Sequence, residues 1–155
     1  MDVQCAHVLP GAGKIQWVLG SFIVYKVRGG NEQNTTFEEI VPAQMSGPRH
    51  FHYDQDEAFY ILEGQYTFHV GADSIEAGPG SFIYVPRGTV HSVKNTGTTP
   101  GKALVTITPG PLVHFFDEVG VPVHDMASFQ APSGPPDMEK VGGSARRHRI
   151  ELVGA

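Results

Sequence analysis

The sequence predicts an all-β fold of the sandwich or barrel type, and two observations carry this prediction. The chain has 155 residues, about the size of one domain, and its 19 glycines and 12 prolines divide it into short segments. Between these breaks lie runs rich in Val, Ile, Phe, Tyr and Thr, spaced roughly 8–12 residues apart with no helical segments between them. Short strands at this spacing are typical of antiparallel sandwiches and barrels rather than of a parallel α/β sheet.

Eight of these runs are predicted to be strands. In chain order they are Ile15–Leu19, Phe22–Val27, Thr36–Val41, Glu57–Leu62, Tyr66–Val70, Ser81–Val85, Val90–Lys94 and Ala103–Thr108. Two polar, glycine-containing segments, Gly29–Gln33 and Asn95–Gly101, are predicted to be turns. Both are too short to be linkers between domains.

The pattern changes after Pro111. Leu112, Phe115, Phe116 and Val119 have helical spacing, which predicts a short amphipathic helix packed against the barrel. A loop is predicted over QAPSGPP, and a second helix over about Asp137–His148. We therefore predict one domain over residues 1–155, with a barrel at about 15–110 and a helical extension at about 111–155. The basic stretch RRHRIEL in this extension is interpreted as a solvated face, with a phosphate site as the alternative.

Composition excludes several classes of partner. Eleven Lys and Arg against 16 Asp and Glu give a formal charge of −5, without the basic stripe of a nucleic-acid binder. The single cysteine, Cys5, cannot form an internal disulfide and is interpreted as a spectator thiol. No stretch approaches the roughly 18 apolar residues of a membrane helix, and the first residues lack a leader pattern. We therefore expect a cytoplasmic protein with a small-molecule partner, binding neither nucleic acid nor membrane.

Three histidines and one glutamate are the candidates for chemistry. His50 and His52 are two residues apart, so their side chains project from one face if the chain is extended. Glu57 would face away unless the intervening YDQD segment bends. His91 follows a turn predicted at Pro86–Gly88. Three imidazoles and a carboxylate can surround an ion inside a small barrel, and these ligand types suit several divalent transition metals.

The same residues carry a family resemblance. A first motif, G-x2-H-x-H-x4-E-x6-G, and a second, G-x5-P-x-G-x2-H-x3-N, resemble the two cupin motifs, although the gap between the first glycine and histidine is shorter than usual. The positions are Gly47, His50, His52, Glu57 and Gly64, then Gly80, Pro86, Gly88, His91 and Asn95. The resemblance covers about residues 15–120. It implies a double-stranded β-helix, which is a jelly-roll barrel.

The resemblance further implies that His50, His52, Glu57 and His91 are ligands of a divalent metal such as Fe, Mn, Ni, Co, Cu or Zn. Asp56 is the alternative to Glu57 if the loop before it is shifted by one residue. Asp54 and Asp56 are otherwise interpreted as solvated loop acids. Glu57 is also the candidate catalytic residue, because a carboxylate that leaves the metal can accept a substrate proton.

Among small cupins the chain resembles bacterial quercetinase-type proteins, through DEAFYILEG, GPGSFIYVPRGTVHSVKNTG and, more weakly, TPGPLVHFFDEVGVPV. This implies a dioxygenase that cleaves a flavonol or related enolisable aromatic substrate with O2 bound at the metal. Two alternatives stay open, because a fold does not define a reaction. One is a metal-dependent isomerase or cyclase that does not use O2, and the other is a non-catalytic small-molecule-binding protein.

The remaining candidates are interpreted structurally. Five other histidines are assigned to core or surface positions: His7, His69, His114, His124 and His148. Six aromatic residues are predicted to lie in the core, with some lining a pocket: Phe51, Phe59, Tyr60, Phe68, Phe82 and Tyr84. A homodimer is expected, since the resemblance implies pairing through sheet edges and the apolar segment Ile15–Val27 offers strands to cover a neighbour's edge.

Overall fold

The structure, a computed structural model, describes residues 5–29 and 33–154. It contains twelve strands and two helices, in the order β1 (Ile15–Val18), β2 (Ser21–Val27), β3 (Thr35–Val41), β4 (His50–His52), β5 (Asp56–Glu63), β6 (Tyr66–Val70), β7 (Asp73–Ala77), β8 (Phe82–Val85), β9 (His91–Asn95), β10 (Gly101–Thr108), α1 (Leu112–Val119), β11 (Val121–Val123), α2 (Met138–Arg147) and β12 (Ile150–Leu152).

The strands form two antiparallel sheets that face each other across an apolar core. The seven-stranded sheet has the order β11-β1-β2-β3-β10-β5-β8, and the five-stranded sheet has the order β12-β4-β9-β6-β7. Consecutive side chains alternate between the core and the outside, as in β10, where every second residue is buried. This is the double-stranded β-helix, with two short helices, that the sequence predicts. The assignment of all 155 residues to one domain stays a prediction.

Four strands were not among the eight predicted runs, for local reasons. β4 and β12 are three residues long, and β11 contains Pro122, which weakens a strand signal. β7 lies at a sheet edge and is exposed over most of its length, so it lacks the alternation of a half-buried strand. Short and edge strands depend on their partners for their conformation, and such partners are not visible in a local sequence pattern.

Both predicted helices are present. Leu112, Val113 and Phe115 of α1 are buried against the barrel. Asp137 caps the start of α2, where its carboxylate accepts hydrogen bonds from the backbone N–H groups of Glu139 and Lys140. No helix within the described ranges is long and apolar enough to cross a membrane.

The extension after residue 110 contains, besides the two predicted helices, two short strands that the sequence analysis did not predict. β11 pairs with β1 at the edge of the larger sheet, and β12 pairs with β4 in the smaller sheet. Part of the basic stretch RRHRIEL is therefore a strand. Its Arg147 binds Glu118 and its Arg149 binds Asp54, so these two charges have protein partners.

The aromatic prediction was right for two residues and wrong for three. Phe59 and Phe68 are buried and their rings lie 5.1 Å apart. Tyr60, Phe82 and Tyr84 are 44%, 65% and 55% exposed, because they point outward from β5 and β8 while their neighbours point inward. Phe51 is half-buried and contacts Tyr53.

The two predicted turns have different outcomes. Residues 96–100 connect β9 to β10 as expected. The Asn95 amide donates hydrogen bonds to the carbonyl oxygen of Thr99, within this turn, and to that of Val41, at the end of β3. Most of the turn predicted at Gly29–Gln33 lies outside the described residues, since residues 30–32 are not described.

Candidate metal centre

Three strands bring the predicted ligands together between the two sheets. His50 and His52 lie on one face of β4, and His91 is the first residue of β9, directly opposite His50. Glu57 comes from β5 of the other sheet. The chain leaves the extended conformation between His52 and Asp56, and this break turns Glu57 inward as the sequence argument required.

The ligand atoms converge on a single point. Nitrogen or oxygen atoms of His50, His52, Glu57 and His91 all lie within 4.8 Å of one another. The Nε2 atoms of His50 and His52 are 3.1 Å apart. Glu57 Oε2 lies 3.0 Å from His91 Nε2 and 3.6 Å from His52 Nε2. A metal ion among these atoms would have three nitrogen ligands and one oxygen ligand.

Backbone hydrogen bonds orient two of the rings. His50 Nδ1 donates to the carbonyl oxygen of Pro48, and His91 Nδ1 donates to that of Thr89, both at 2.9 Å. In a neutral imidazole this arrangement leaves Nε2 as an unprotonated acceptor. If the rings are neutral, these lone pairs face each other and the Glu57 carboxylate, whereas a proton on His91 Nε2 lets that ring donate to Glu57. A proton relieves one such contact, whereas one metal ion relieves all of them, so the donor set fits a metal.

The ionisation of the four groups is consistent with this fit. Burial raises the pKa of Glu57, but the hydrogen bond from His91 and the three imidazoles lower it to about 2, so this carboxylate is ionised at neutral pH. Burial and the neighbouring imidazoles lower the pKa of His50 to about 4. Burial also lowers the pKa of His52, against the attraction of Glu57. For His91 burial is outweighed by Glu57, which raises its pKa.

Gln55 is a neighbour of the site that the sequence argument did not identify. Its side chain is buried, and its Oε1 atom has no hydrogen-bond partner within the described part of the chain. The same is true of His52 Nδ1, and Gln55 lies close enough to raise the pKa of His52. An N–H donor and a carbonyl acceptor are complementary, so their pairing would hold His52 Nε2 towards the ligand cluster.

The two other acids in the loop have partners away from the cluster. Asp56 accepts hydrogen bonds from the backbone N–H, Nε and Nη2 of Arg87 at 2.9–3.0 Å. Asp54 accepts from Arg149. Asp56 is therefore turned away from the histidines and is not the alternative ligand. Its pair with Arg87 instead joins the start of β5 to the Pro86–Gly88 turn, where Gly88 adopts φ +78° and donates its N–H to the His52 carbonyl.

The cluster opens onto a mostly apolar cavity of about 120 Å³. Phe37 and Phe59 from the larger sheet and Phe115 and Phe116 from α1 supply aromatic walls. Ile150 and Leu152 of β12 also line it, so the segment beyond the barrel contributes to the site. Among the described residues that form the lining there is no lysine or arginine, and one further carboxylate, Glu39, is present.

The other five histidines lie outside the cluster, in agreement with the structural interpretation. His7, His69 and His124 are exposed. His114 and His148 stack on each other with ring centroids 6.4 Å apart, and His148 Nε2 pairs with Glu118.

Comparison with known proteins agrees with the two sequence motifs. Residues 36–107 match the family model described as a Cupin domain. Quercetin 2,3-dioxygenase of Bacillus subtilis is 32% identical over 96 residues, covering 58% of this chain and 28% of the relative. The uncharacterized protein MJ1618 of Methanocaldococcus jannaschii is 35% identical over 82 residues, covering 53% and 65%. The chain thus spans less than two thirds of the length of each of these relatives.

Solved structures support the same fold. The cupin domain of Schizosaccharomyces pombe Cnp3 superposes with a TM-score of 0.59 at 19% identity, over 79% of this chain and 83% of that one. At this identity the likeness concerns the fold alone. Residues 36–107 thus match the Cupin domain model, in a chain that resembles quercetinase-type cupins.

Proposed function

We propose that the protein is a metal-dependent dioxygenase that cleaves a flavonol or a related enolisable aromatic molecule. The observation that carries this proposal is a metal-type ligand cluster at the wall of an apolar cavity with four phenylalanine rings and, among the described lining residues, no cation. Such walls favour an uncharged aromatic substrate over a phosphorylated or dicarboxylic one. The likeness to the Bacillus quercetin dioxygenase supports the same reaction class.

The residues have distinct proposed roles. His50, His52 and His91 hold the metal through Nε2, and the carbonyl oxygens of Pro48 and Thr89 orient two of the rings. Glu57 is the fourth ligand and the candidate base, since its carboxylate is ionised at neutral pH and lies within the cluster. A divalent metal bound here would act as a Lewis acid that lowers the pKa of a substrate hydroxyl. The phenylalanine rings orient an aromatic substrate and exclude water.

The experiment begins with elemental analysis of the purified protein, followed by oxygen uptake with a panel of flavonols. We expect about one divalent metal per chain, and oxygen consumption that requires both the metal and a flavonol. A protein with one equivalent of metal but no uptake with any flavonol would contradict the dioxygenase. Metal removal by a chelator, followed by restoration with individual metals, would identify the ion that supports turnover.

Two alternatives predict different results in the same experiment. A metal-dependent isomerase or cyclase would convert its substrate under nitrogen as fast as in air. A binding protein would retain an aromatic ligand without converting it under either condition. Both use the same cluster and cavity, so the requirement for oxygen is the measurement that separates them from the dioxygenase.

We further propose a cytoplasmic homodimer, but through a different surface from the one that the sequence suggested. β1 and β2 are each paired on both sides within the chain, so Ile15–Val27 offers no free edge. β8 is an edge strand with two exposed aromatic side chains, Phe82 and Tyr84. Light scattering should give twice the 16.8 kDa chain mass, and Phe82→Glu should shift the protein to the monomer. A wild-type mass of one chain would contradict the dimer.

A further inference from the structure

Glu39 is an acidic residue on the inner face of the barrel. It lies in the middle of β3, opposite Ile23 of β2 and Ala103 of β10, both of which are buried. Directly opposite residues of antiparallel strands share a face, so Glu39 points inward with them. It lines the same cavity as the metal-type cluster. The part of its surface that remains open therefore faces the place where a substrate would bind.

This carboxyl group has no cationic partner within the described ranges. The neighbouring Glu38, on the outer face, pairs with Lys26 at 3.7 Å, whereas Glu39 has no such pair. Burial and then the charge of Glu57 raise the pKa of Glu39 to about 7, and the Ser21 hydroxyl acts in the opposite direction. An ionised carboxylate without a partner is unfavourable beside an apolar wall, and a carboxyl group that is readily neutral is tolerated there. Core packing alone does not require an acid at this position.

The position of Glu39 relative to the metal ligands leaves space for a substrate. On their shared neighbour β10, Glu39 lies opposite Ala103 and Glu57 lies opposite Ile107, with two strand spacings between β3 and β5. The two α-carbons would be on the order of 16 Å apart in a flat sheet, and less across a curved interior. Ser21, also in the cavity lining, lies on the neighbouring strand beside Glu39. Glu39 is not a member of the ligand cluster, yet it lines the same cavity.

We propose that Glu39, assisted by Ser21, is a substrate-binding residue that accepts a hydrogen bond from a second hydroxyl group of an uncharged aromatic substrate whose first hydroxyl binds at the metal centre. This inference rests on the proposed function, because it assumes that the hydroxyl group at the metal centre and the hydroxyl group at Glu39 belong to one aromatic substrate. Two carboxyl groups without a cation in the described lining disfavour anions. The substrate class is thus a polyhydroxylated aromatic molecule rather than a sugar phosphate or an organic acid.

The test measures binding to the metal-loaded protein by calorimetry without oxygen, using two probes. Quercetin carries hydroxyl groups on both ends of the molecule, whereas 3-hydroxyflavone carries only the one beside its carbonyl group. We expect Glu39→Leu to weaken quercetin binding by roughly 3- to 10-fold, the effect of one hydrogen bond, and to leave 3-hydroxyflavone binding unchanged or stronger. Ser21→Ala should act in the same direction with a smaller effect.

Glu38→Leu is the matched control, since it removes a carboxylate one residue away on the outer face and should change neither affinity. Metal content should equal that of the parent protein in every variant. If Glu39→Leu does not fold, Glu39→Ala makes the same comparison. Equal losses for both probes, or no binding of quercetin, would overturn the proposal. Glu39-dependent binding without oxygen consumption would instead contradict the dioxygenase and leave this inference standing.

Discussion

Two clusters of histidine and acid in this molecule differ in whether their hydrogen bonding is complete. On the helical side, Glu118 of α1 accepts hydrogen bonds from Ser144, Arg147 and His148, so each of its oxygens has a donor. Between the sheets, the Nε2 atoms of His50 and His52 lie 3.1 Å apart and Glu57 Oε2 lies 3.0 Å from His91 Nε2, while two of the rings have already used Nδ1 on backbone carbonyls. The first cluster joins two helices without any added group. The second is complete only with a cation.

This difference gives a physical criterion for separating a structural polar network from a binding site. Residue types do not provide it, since both clusters contain histidine beside glutamate. The informative quantity is the balance of hydrogen-bond donors and acceptors inside each cluster, once the partner of the ring nitrogen that points away from the cluster is known. Substitutions in the first cluster should therefore change stability alone, and substitutions in the second should change metal content.

The largest expected effect comes from removing an imidazole. His91→Ala should abolish stoichiometric metal binding, since it removes one of three nitrogen ligands and the partner of Glu57. The fold should survive, because the hydrophobic core is formed by other, apolar side chains. Elemental analysis and circular dichroism of the purified variant provide the measurement. Full metal content in His91→Ala would contradict its role as a ligand.

Glu57→Gln tests the carboxylate of the cluster. The amide keeps an oxygen of similar size but loses charge and basicity, so the three histidines should retain much of the metal while turnover falls by about 10²–10⁴. Metal content and oxygen uptake should be measured on the same preparation. Near-normal turnover would exclude Glu57 as the base, and loss of metal as complete as in His91→Ala would make it chiefly a ligand.

A third prediction concerns the strand that supports the ligands. Ile150 of β12 is buried, pairs with His52 and lines the cavity. Ile150→Ala should lower the free energy of unfolding by about 2–5 kcal/mol and weaken metal binding as well. Ile75→Ala on the exposed edge strand β7 is the control and should change stability by less than about 0.5 kcal/mol. Urea unfolding of the metal-free and metal-loaded proteins measures both quantities.

Gln55→Leu should have a smaller effect that is confined to the metal centre. It removes the acceptor beside His52 Nδ1, and changes of this kind typically weaken metal binding by about 10- to 100-fold. Competition with a chromophoric chelator measures the affinity. Gln44, whose amide donates to the carbonyls of Thr96 and Gly97, is a control on the exposed side of the fold, and Gln44→Leu should leave metal affinity unchanged.

The smallest effect is expected at Glu118, in the cluster that joins the two helices. Hydrogen bonds from Ser144, His148 and Arg147 lower the pKa of Glu118 from 4.5 to about 2. A lowered pKa in the folded state means that Glu118 stabilises the fold above about pH 4.5, and that this contribution is lost as the pH falls towards about 2. Glu118→Gln should therefore melt at a lower temperature than the parent protein at pH 7, with the difference shrinking in acid. Metal content should not change, and a loss of metal would remove the distinction between the two clusters.

Much of the fold followed from the sequence because its signals are local, whereas the set of four clustered residues was implied by the resemblance of two motifs to those of cupins. The spacing of His50 and His52, the turn before His91 and the short apolar runs each depend on neighbouring residues. Phe82 and Tyr84 were wrongly assigned to the core. They alternate along β8 with Ile83 and Val85, so both faces of this strand are apolar and the sequence does not show which face is buried. Glu39 could have been found, since Phe37 and Val41 flank it at strand spacing. The contributions of α1 and β12 to the cavity arise from distant contacts, which no local pattern contains.

The pairing of β4 with β12 has a consequence for the order of folding. All three residues of β4 pair with β12, whereas its register with β9 contains only His50 and His91. Joining β4 to β12 closes a loop of about a hundred residues, which carries a larger entropic cost than the hairpins of the barrel and belongs among the slow steps. The hairpins can therefore form first, while His50 and His52 acquire their final orientation only when residues 150–152 dock. We expect rapid mixing experiments to show metal capture in the last kinetic phase of refolding.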